Sequence, residues 1–536
     1  TLTNKSWLTY DRQKDRYHIH ELLRQYGSAK LSGGAAKLSA EPAHRQKARE
    51  KHSAYFCTYL QDREADWFGP RQKEAAAEVR NEIDNIQRAW RWAVAQGNFA
   101  LLSQGLQSLC RFYYWEGRLK DGQYACYLAA KGLSRSPDGQ LIDDAQRLAL
   151  RARVLEWESG FTREVAQKEA LLEQSQQLLD RATQTGRDTR TEQASIFLGK
   201  AYAVGNTNIE EAIRLGNLGL ALFRDLGNRA GEAEALQVVG YDYLNLGEYQ
   251  LAENYLRESL KIKRQMGDKG GVAETINQLG SVGRYLGRFK ESETLHRQGL
   301  DLYRQLGNHF REARWLTSLS HTLSWAGKFH AAEEAARQAI EIDRDLGQHP
   351  NPWRLNPLIM ATFHEGHNDK ARSIATDNLE FARQRGILTL ESWASVYLGN
   401  IAFIEGKFIE ARRYLQQSVT LFTKLKHVQL ATSQAFLSYA QRAQGDIHLA
   451  RENLVGVLRA GIETRFIFPI INCLPLAALL AADEDGPERA VELYGLAQQF
   501  GYIRNSRWFA EASCKELDEV RASLPADVAA AAEARG

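Results

Sequence analysis

The stretch His364-Glu365-Gly366-His367, with Asp369 close behind, has the residue types of a metal site. Its histidines are three positions apart, whereas H-E-x-x-H places two ligands on one helical face by a step of four. The glycine between them makes a solvated turn the expected structure. His18 and His20 alternate along an extended segment, so they face opposite sides and share no ion. No cysteine lies near a histidine and an acid in a recognisable order, and there is no G-x-S-x-G elbow. A G-x-x-x-x-G-K-[ST] phosphate loop is also missing from the 536 residues. The expectation is a chain that is not an enzyme and holds no metal and no cofactor of its own.

Other residues suit recognition better than reaction. Tyr241, Asn245, Asn277, Arg284, Tyr285, Thr317, His321, Trp325, Trp353, Asn356, His364, Trp393 and Asn400 mix aromatic planes with hydrogen-bonding groups, as ligand surfaces do. The competing reading is that several of these aromatics pack between neighbouring structural units. Upstream, Arg111, Tyr114 and Trp115 form a second such group, for which core packing is the simpler explanation. The basic run Lys261-Ile262-Lys263-Arg264 reads as an exposed helix end, where cations suit the helix dipole.

What would gather the recognition residues on one wall is a repeat. Gly227, Gly267, Gly307 and Gly347 mark a step of about 40 residues, and Gly247, Gly287 and Gly327 mark the phase midway between them. Such a period is the signature of a helical solenoid, whose inner face is lined by the first helix of each pair. Gly240, Gly280 and Ser320 in first helices meet Ala252, Ser292 and Ala332 in second helices, small residues that let paired backbones interlock. Gly227, Gly267 and Gly307 follow second helices, where glycine caps a C-terminus in the left-handed conformation. The phase continues through Ala371, Ala411, Ala450 and Ala490. Pro350, Pro352 and Pro357, then Pro469 and Pro475, interrupt two first helices and predict a change of pitch there.

Before the helices, Ser6 to Tyr10 and Arg16 to Ile19 alternate polar and apolar residues around a charged turn, a β-hairpin pattern. A helical segment from Glu21 to Tyr26 follows and ends near Gly33-Gly34. Composition agrees with an array rather than one core, since 536 residues exceed the roughly 250–300 at which single cores stop growing. With 69 basic and 66 acidic side chains the net charge is +3, too small for a chain-wide polyanion field, so nucleic acid is not expected as a partner. Five widely spaced cysteines without a C-x-x-C pair read as reduced and buried, in a cytoplasmic protein. No apolar run is long enough to span a bilayer, so no membrane partner is expected. The opening Thr1-Leu2-Thr3 reads as the start of an excised fragment.

The small, aromatic, Gly-x-Tyr/Phe and Ala positions resemble the tetratricopeptide repeat, in a long form. Arg16-Tyr17-His18-Ile19-His20-Glu21-Leu22-Leu23-Arg24-Gln25-Tyr26, Glu82-Ile83-Asp84-Asn85-Ile86-Gln87-Arg88-Ala89-Trp90-Arg91-Trp92-Ala93 and Phe112-Tyr113-Tyr114-Trp115-Glu116-Gly117 resemble segments of bacterial STAND signalling ATPases with an NB-ARC core. The resemblance implies an all-α tetratricopeptide superhelix preceded by the hairpin and helix that finish a winged-helix domain. Its Met-His-Asp motif, which contacts ADP, falls on Ile19, His20 and Glu21, so the histidine alone is kept. ATP or ADP is then expected only in a core outside this chain.

The implied organisation is a winged-helix end at 1–38, a linking helical region at 39–98, divergent repeats at 99–225, regular repeats at 226–500 and capping helices at 501–536. The implied role is a sensor that takes a protein, peptide or small-molecule inducer on its concave face and relays it to an oligomerising switch. The alternative is a constitutive scaffold for partner proteins, without switching.

Overall fold

The computed structural model of the protein describes residues 8–11, 16–19, 42–134, 144–205, 208–346, 351–484 and 486–536, with side chains from residue 46 onward. Two short antiparallel strands, Leu8–Asp11 and Arg16–Ile19, pair with Leu8 opposite Ile19. Everything else described is helix or turn. The expected helix from Glu21, its glycine end and His20 lie outside the described residues.

Helices Pro42–Gln61 and Gln72–Ala95 open the array. Helix pairs then follow among the described residues, from Phe99–Trp115 with Leu119–Leu133 to Ile467–Ala482 with Pro487–Gln498. Between them lie Ala145–Phe161 with Val165–Gln184, Arg190–Val204 with Ile209–Asp225, and Arg229–Leu246 with Tyr249–Met266. Lys269–Tyr285 with Phe289–Leu306, His309–Trp325 with Phe329–Asp345, and Pro352–His364 with Asn368–Arg385 come next. Leu388–Ile404 with Phe408–Lys424 and Leu430–Ala443 with Ile447–Thr464 complete the series. Short helices and a π turn at Ala510–Cys514 close the C-terminal end with Ala526–Arg535. No helix among the described residues is long and apolar enough to cross a membrane.

Local chemistry explains the regularity. Gly267 and Gly307 end second helices at φ 75° and 66°, the left-handed geometry that glycine tolerates. The residue directly after each glycine starts the next helix: the Asp268 carboxylate accepts from the Gly271 N–H at 2.7 Å, and the Asn308 side chain accepts from the Arg311 N–H at 3.0 Å. One short phrase thus stops a helix and begins another. Within pairs, Gly240 and Gly280 leave room for Leu256 and His296 from the facing helix, while the Ser292 and Ser320 hydroxyls donate to the Gly280 and Ala332 carbonyls at 2.6 Å. Pro352 starts its helix, capped by Asn351, whereas Pro357 and Pro475 lie inside helices that continue through them.

The superhelix is wound so tightly that successive turns touch along two seams. In the first, Gln72 donates to Asp268 at 2.6 Å and accepts from the Gly270 N–H at 2.8 Å, the Asn308 amide donates to the Trp115 carbonyl at 3.1 Å, and Gly117 lies under the Phe310 ring. In the second, Gly287 meets Ile467, Trp325 stacks on Phe468 at 4.0 Å, the Asn505 amide donates to the Gly327 carbonyl at 3.1 Å, and Trp508 donates to the Asn400 carbonyl at 3.0 Å. A Cβ on Gly327 would overlap the Gly501 backbone, whereas one on Gly307 would meet open space. Gly307→Ala is therefore expected to cost about 1 kcal/mol, the left-handed penalty alone, and Gly327→Ala about 3 kcal/mol, because backbone must also move apart. Urea unfolding of the two variants beside the parent chain checks the difference; equal losses would dismiss the seam.

Candidate binding site on the inner wall

First helices from a full superhelical turn converge on one interior. Arg111 reaches across to Glu234 at 3.0 Å, while its guanidinium lies over the Phe68 ring at 4.5 Å and the Trp157 ring at 5.3 Å. Glu274 takes Arg311 at 3.3 Å and Arg314 at 3.2 Å, and Arg311 covers the Tyr114 ring at 4.9 Å. Among these ion pairs Tyr114, Tyr202 and Tyr241 keep 41 %, 52 % and 40 % of their surface exposed. Large exposed aromatics ringed by paired charges inside a concave wall are what a ligand surface requires and what a structural core avoids.

The charges hold one another in place. Burial alone would raise the Glu234 carboxyl, but the Arg111 charge and hydrogen bond bring it below its ordinary value. Glu274 is likewise lowered against burial by Arg314, Arg311 and Lys263. Glu156 has no such close partner, so burial, followed by the Glu234 charge, pushes it up to about 7. Beneath the wall Lys263 is buried, bonded to Gln237 and to the Thr275 hydroxyl at 3.0 Å. The expectation of an exposed basic helix end is corrected here: Lys261 and Arg264 are exposed, but Lys263 points inward between acidic side chains.

The residues singled out from sequence divide sharply. Tyr241 is exposed on this wall, Asn245 is half-buried and hydrogen-bonded to it, and Trp353 is exposed at its helix start. Tyr285, Thr317, His321 and Trp393 are half-buried; Tyr285 stacks on Tyr249 at 5.4 Å and Trp393 packs on Tyr397 and Phe422. Asn277, Arg284, Trp325, Asn356, His364 and Asn400 are buried. For Trp325, Asn356, His364 and Asn400 the groove reading is corrected, because the C-terminal helices or a paired helix already cover them. Asn356 accepts from the Asn378 amide at 3.1 Å. The solvated turn expected at His364 is also corrected: its ring stacks on Phe329 at 4.7 Å and bonds Ser506 at 2.7 Å and Tyr502 at 2.9 Å, although His367 is exposed. Trp115 is core, in the first seam, whereas Arg111 and Tyr114 belong to the wall.

Glu234, Glu274, Arg311, Arg314 and Tyr202 were not foreseen. A signal existed, since Glu234, Glu274 and Arg314 occupy one repeat position and precede Tyr241, Ser281 and His321 by two helical turns on the same face. Among the described residues no group of three histidines, cysteines or acids is placed to hold a metal ion, and all five cysteines are free and buried.

Tetratricopeptide repeat models match residues 233–266 and 271–345, so these pairs are tetratricopeptide repeats. No curated protein matches the chain. Among solved structures, the Rap conjugation gene regulator of plasmid pLS20, in complex with a Phr peptide, is 12 % identical over 70 % of this chain and 97 % of its own, with a TM-score of 0.46. The apo quorum sensor NprR from B. thuringiensis is 13 % identical over 65 % and 98 %, with a TM-score of 0.45. A signal transduction ATPase with numerous domains and a tetratricopeptide repeat sensor, from Pyrococcus horikoshii, is 14 % identical over 68 % of this chain and 55 % of its own, with a TM-score of 0.37.

His364 supplies a test of the second seam. Burial lowers its pKa from 6.5 to about 3, so it is neutral in the fold and uses one ring nitrogen as donor and the other as acceptor between two hydroxyls. Below pH 6.5 the unfolded chain takes up a proton that the folded chain refuses, and stability falls until about pH 3. His364→Gln is expected to be less stable than the parent at neutral pH, and the gap should shrink by about 1.4 kcal/mol for each pH unit below 6.5. Urea melts of both chains from neutral pH to pH 4 read this; a constant gap would mean that His364 is not buried neutral.

Proposed function

We propose that this chain is the sensing arm of a STAND-type signalling ATPase, whose inducer binds inside the superhelix. The observation that carries the reading is the ring of exposed tyrosines and paired ions within a closed turn. The likeness of residues 16–26 and 82–93 to that class supports the rest: a winged-helix end at 1–38, and a nucleotide-binding, oligomerising core outside this chain where ATP or ADP resides. His20 would be this chain's contact with that nucleotide. The inducer is a protein, a peptide or a small molecule, met in the cytoplasm.

Switching requires the inducer to bind one state better than the other, by about 5.5 kcal/mol to turn 1:99 into 99:1. A concave wall of many modest contacts supplies that difference without any single strong one. Trp325→Ala is a poor probe, since emptying a buried tryptophan site costs about 3–5 kcal/mol of stability. Tyr114→Ala and Tyr241→Ala remove exposed rings instead. In the full-length parent each is expected to raise the inducer concentration for half-maximal ATPase or oligomerisation at least roughly tenfold, about 1.4 kcal/mol, with an unchanged melting midpoint. Unaltered activation by both would reject the inner wall as the site. A parent whose oligomerisation ignores every cell extract while it still retains partner proteins would be the constitutive scaffold instead.

A further inference from the structure

Resting on the reading of the inner wall as the inducer's site, we propose that Arg284 is the seat of a carboxylate carried by that inducer, with His321 beside it. Arg284 is 9 % exposed, and among the described residues no carboxylate pairs with it. Its Nε has no protein partner, and its Nη1 reaches only the Ser318 carbonyl at 3.4 Å. The Trp325 and Tyr285 rings lie 5.1 Å and 5.5 Å from the guanidinium, and the Tyr285 side chain hydrogen-bonds it, a neutral partner and not a counter-ion. Other arginines buried in this part of the chain are neutralised: Arg311 by Glu274 at 3.3 Å and Arg354 by Asp343 at 2.9 Å. A guanidinium taken out of water without a counter-ion is costly, and burial draws the Arg284 pKa down accordingly.

The neighbourhood shares the deficit. Both ring nitrogens of His296 are buried without protein partners. His296 and His321 are kept neutral, by burial first and then by the Arg284 charge, so each retains one N–H to donate. Ser281, Tyr285, Ser318 and His321 stay partly exposed around the guanidinium and leave it an approach from the wall. One uncompensated positive charge with neutral donors matches a monoanion, and the arginine fork matches the two oxygens of a carboxylate. A phosphate dianion would call for a second cation at the same place.

The test is thermal unfolding of the purified chain at neutral pH in about 100 mM sodium acetate, against sodium chloride of equal ionic strength and against acetamide. Acetate alone is expected to raise the midpoint, by at least about 1 °C. Arg284→Met should lose that rise, and in chloride should melt no lower than the parent, because removing an unpaired buried charge is neutral or stabilising. No acetate-specific rise, an equal rise in Arg284→Met, a larger rise with phosphate, or filling of the site by water alone in a crystal grown from acetate would overturn the assignment. Should Arg284→Met fail to fold, Arg284→Lys keeps the charge without the fork, and an undiminished acetate rise in it would overturn the assignment equally. N-acetyl-trialanine with a free or an amidated C-terminus separates the sources: a larger rise from the free peptide than from acetate points to a peptide end, and an equal rise to a small organic acid. If acetate fails while Tyr114→Ala and Tyr241→Ala still blunt induction, the carboxylate seat falls and the sensing wall stands; the converse result leaves the anion site and removes the sensor.

Discussion

The inner wall exists because one turn of the superhelix rests on the next where glycine leaves no side chain in the way. Gly117 under Phe310, Gly287 against Ile467 and Gly327 against Gly501 are the points of closest approach. All three glycines also have positive φ, at 68°, 75° and 76°, so the turn geometry and the close approach demand the same residue. Side chains there would hold the turns apart and open the interior to bulk water. Polar groups released by this contact are satisfied across it, by Gln72, Asn308 and Asn505, which bond backbone on the opposite turn.

Closure sets the electrostatics of the wall. Arg111 and Arg311 face Glu234 and Glu274 in partial desolvation, where removing the Glu274 carboxylate would leave the buried Arg311 charge behind, while Arg314 joins Glu274 from an exposed position. The pairing is therefore stiffer than a surface salt bridge, and it holds Tyr114 and Tyr241 in place without covering them. Arg284 departs from this rule, which is why it stands out among the arginines of the array.

Much of the fold was legible in the residues because its rules are local. The glycine period from Gly227 to Gly327, the small residues at Gly240, Ser292 and Ala332, and the apolar spacing of each helix act over short stretches, and each survives in the structure. The second half of the Leu-Gly-Asn phrase, in which Asn308 caps the next helix, was equally local but unread. The site was less legible because burial on the inner face depends on superhelical pitch, which no short pattern encodes. Trp325 and Tyr241 occupy comparable faces of first helices two repeats apart, yet Phe468 covers one and the interior leaves the other open. Lys263 shows the same limit: the other basic residues of its run, Lys261 and Arg264, are exposed, and only Gln237 and Thr275 from other helices reveal its buried place.

Wall and seam are built from the same helices, often from adjacent residues. Tyr114 faces the interior while Trp115 next to it packs against Gly270 and Tyr303 in the first seam. Helix His309–Trp325 presents Arg311 and Arg314 to the wall near one end and stacks Trp325 on Phe468 at the other. Helix Lys269–Tyr285 likewise carries Gly270 in the first seam, Glu274 and Arg284 between, and Tyr285 against Phe466 in the second. A rigid helix cannot tilt at its middle without moving both ends, so pressure on the wall is transmitted to contacts between turns. Closely packed interfaces of this kind repack in steps rather than deform smoothly. An array of weak repeats is thereby coupled, through its seams, into one mechanical unit.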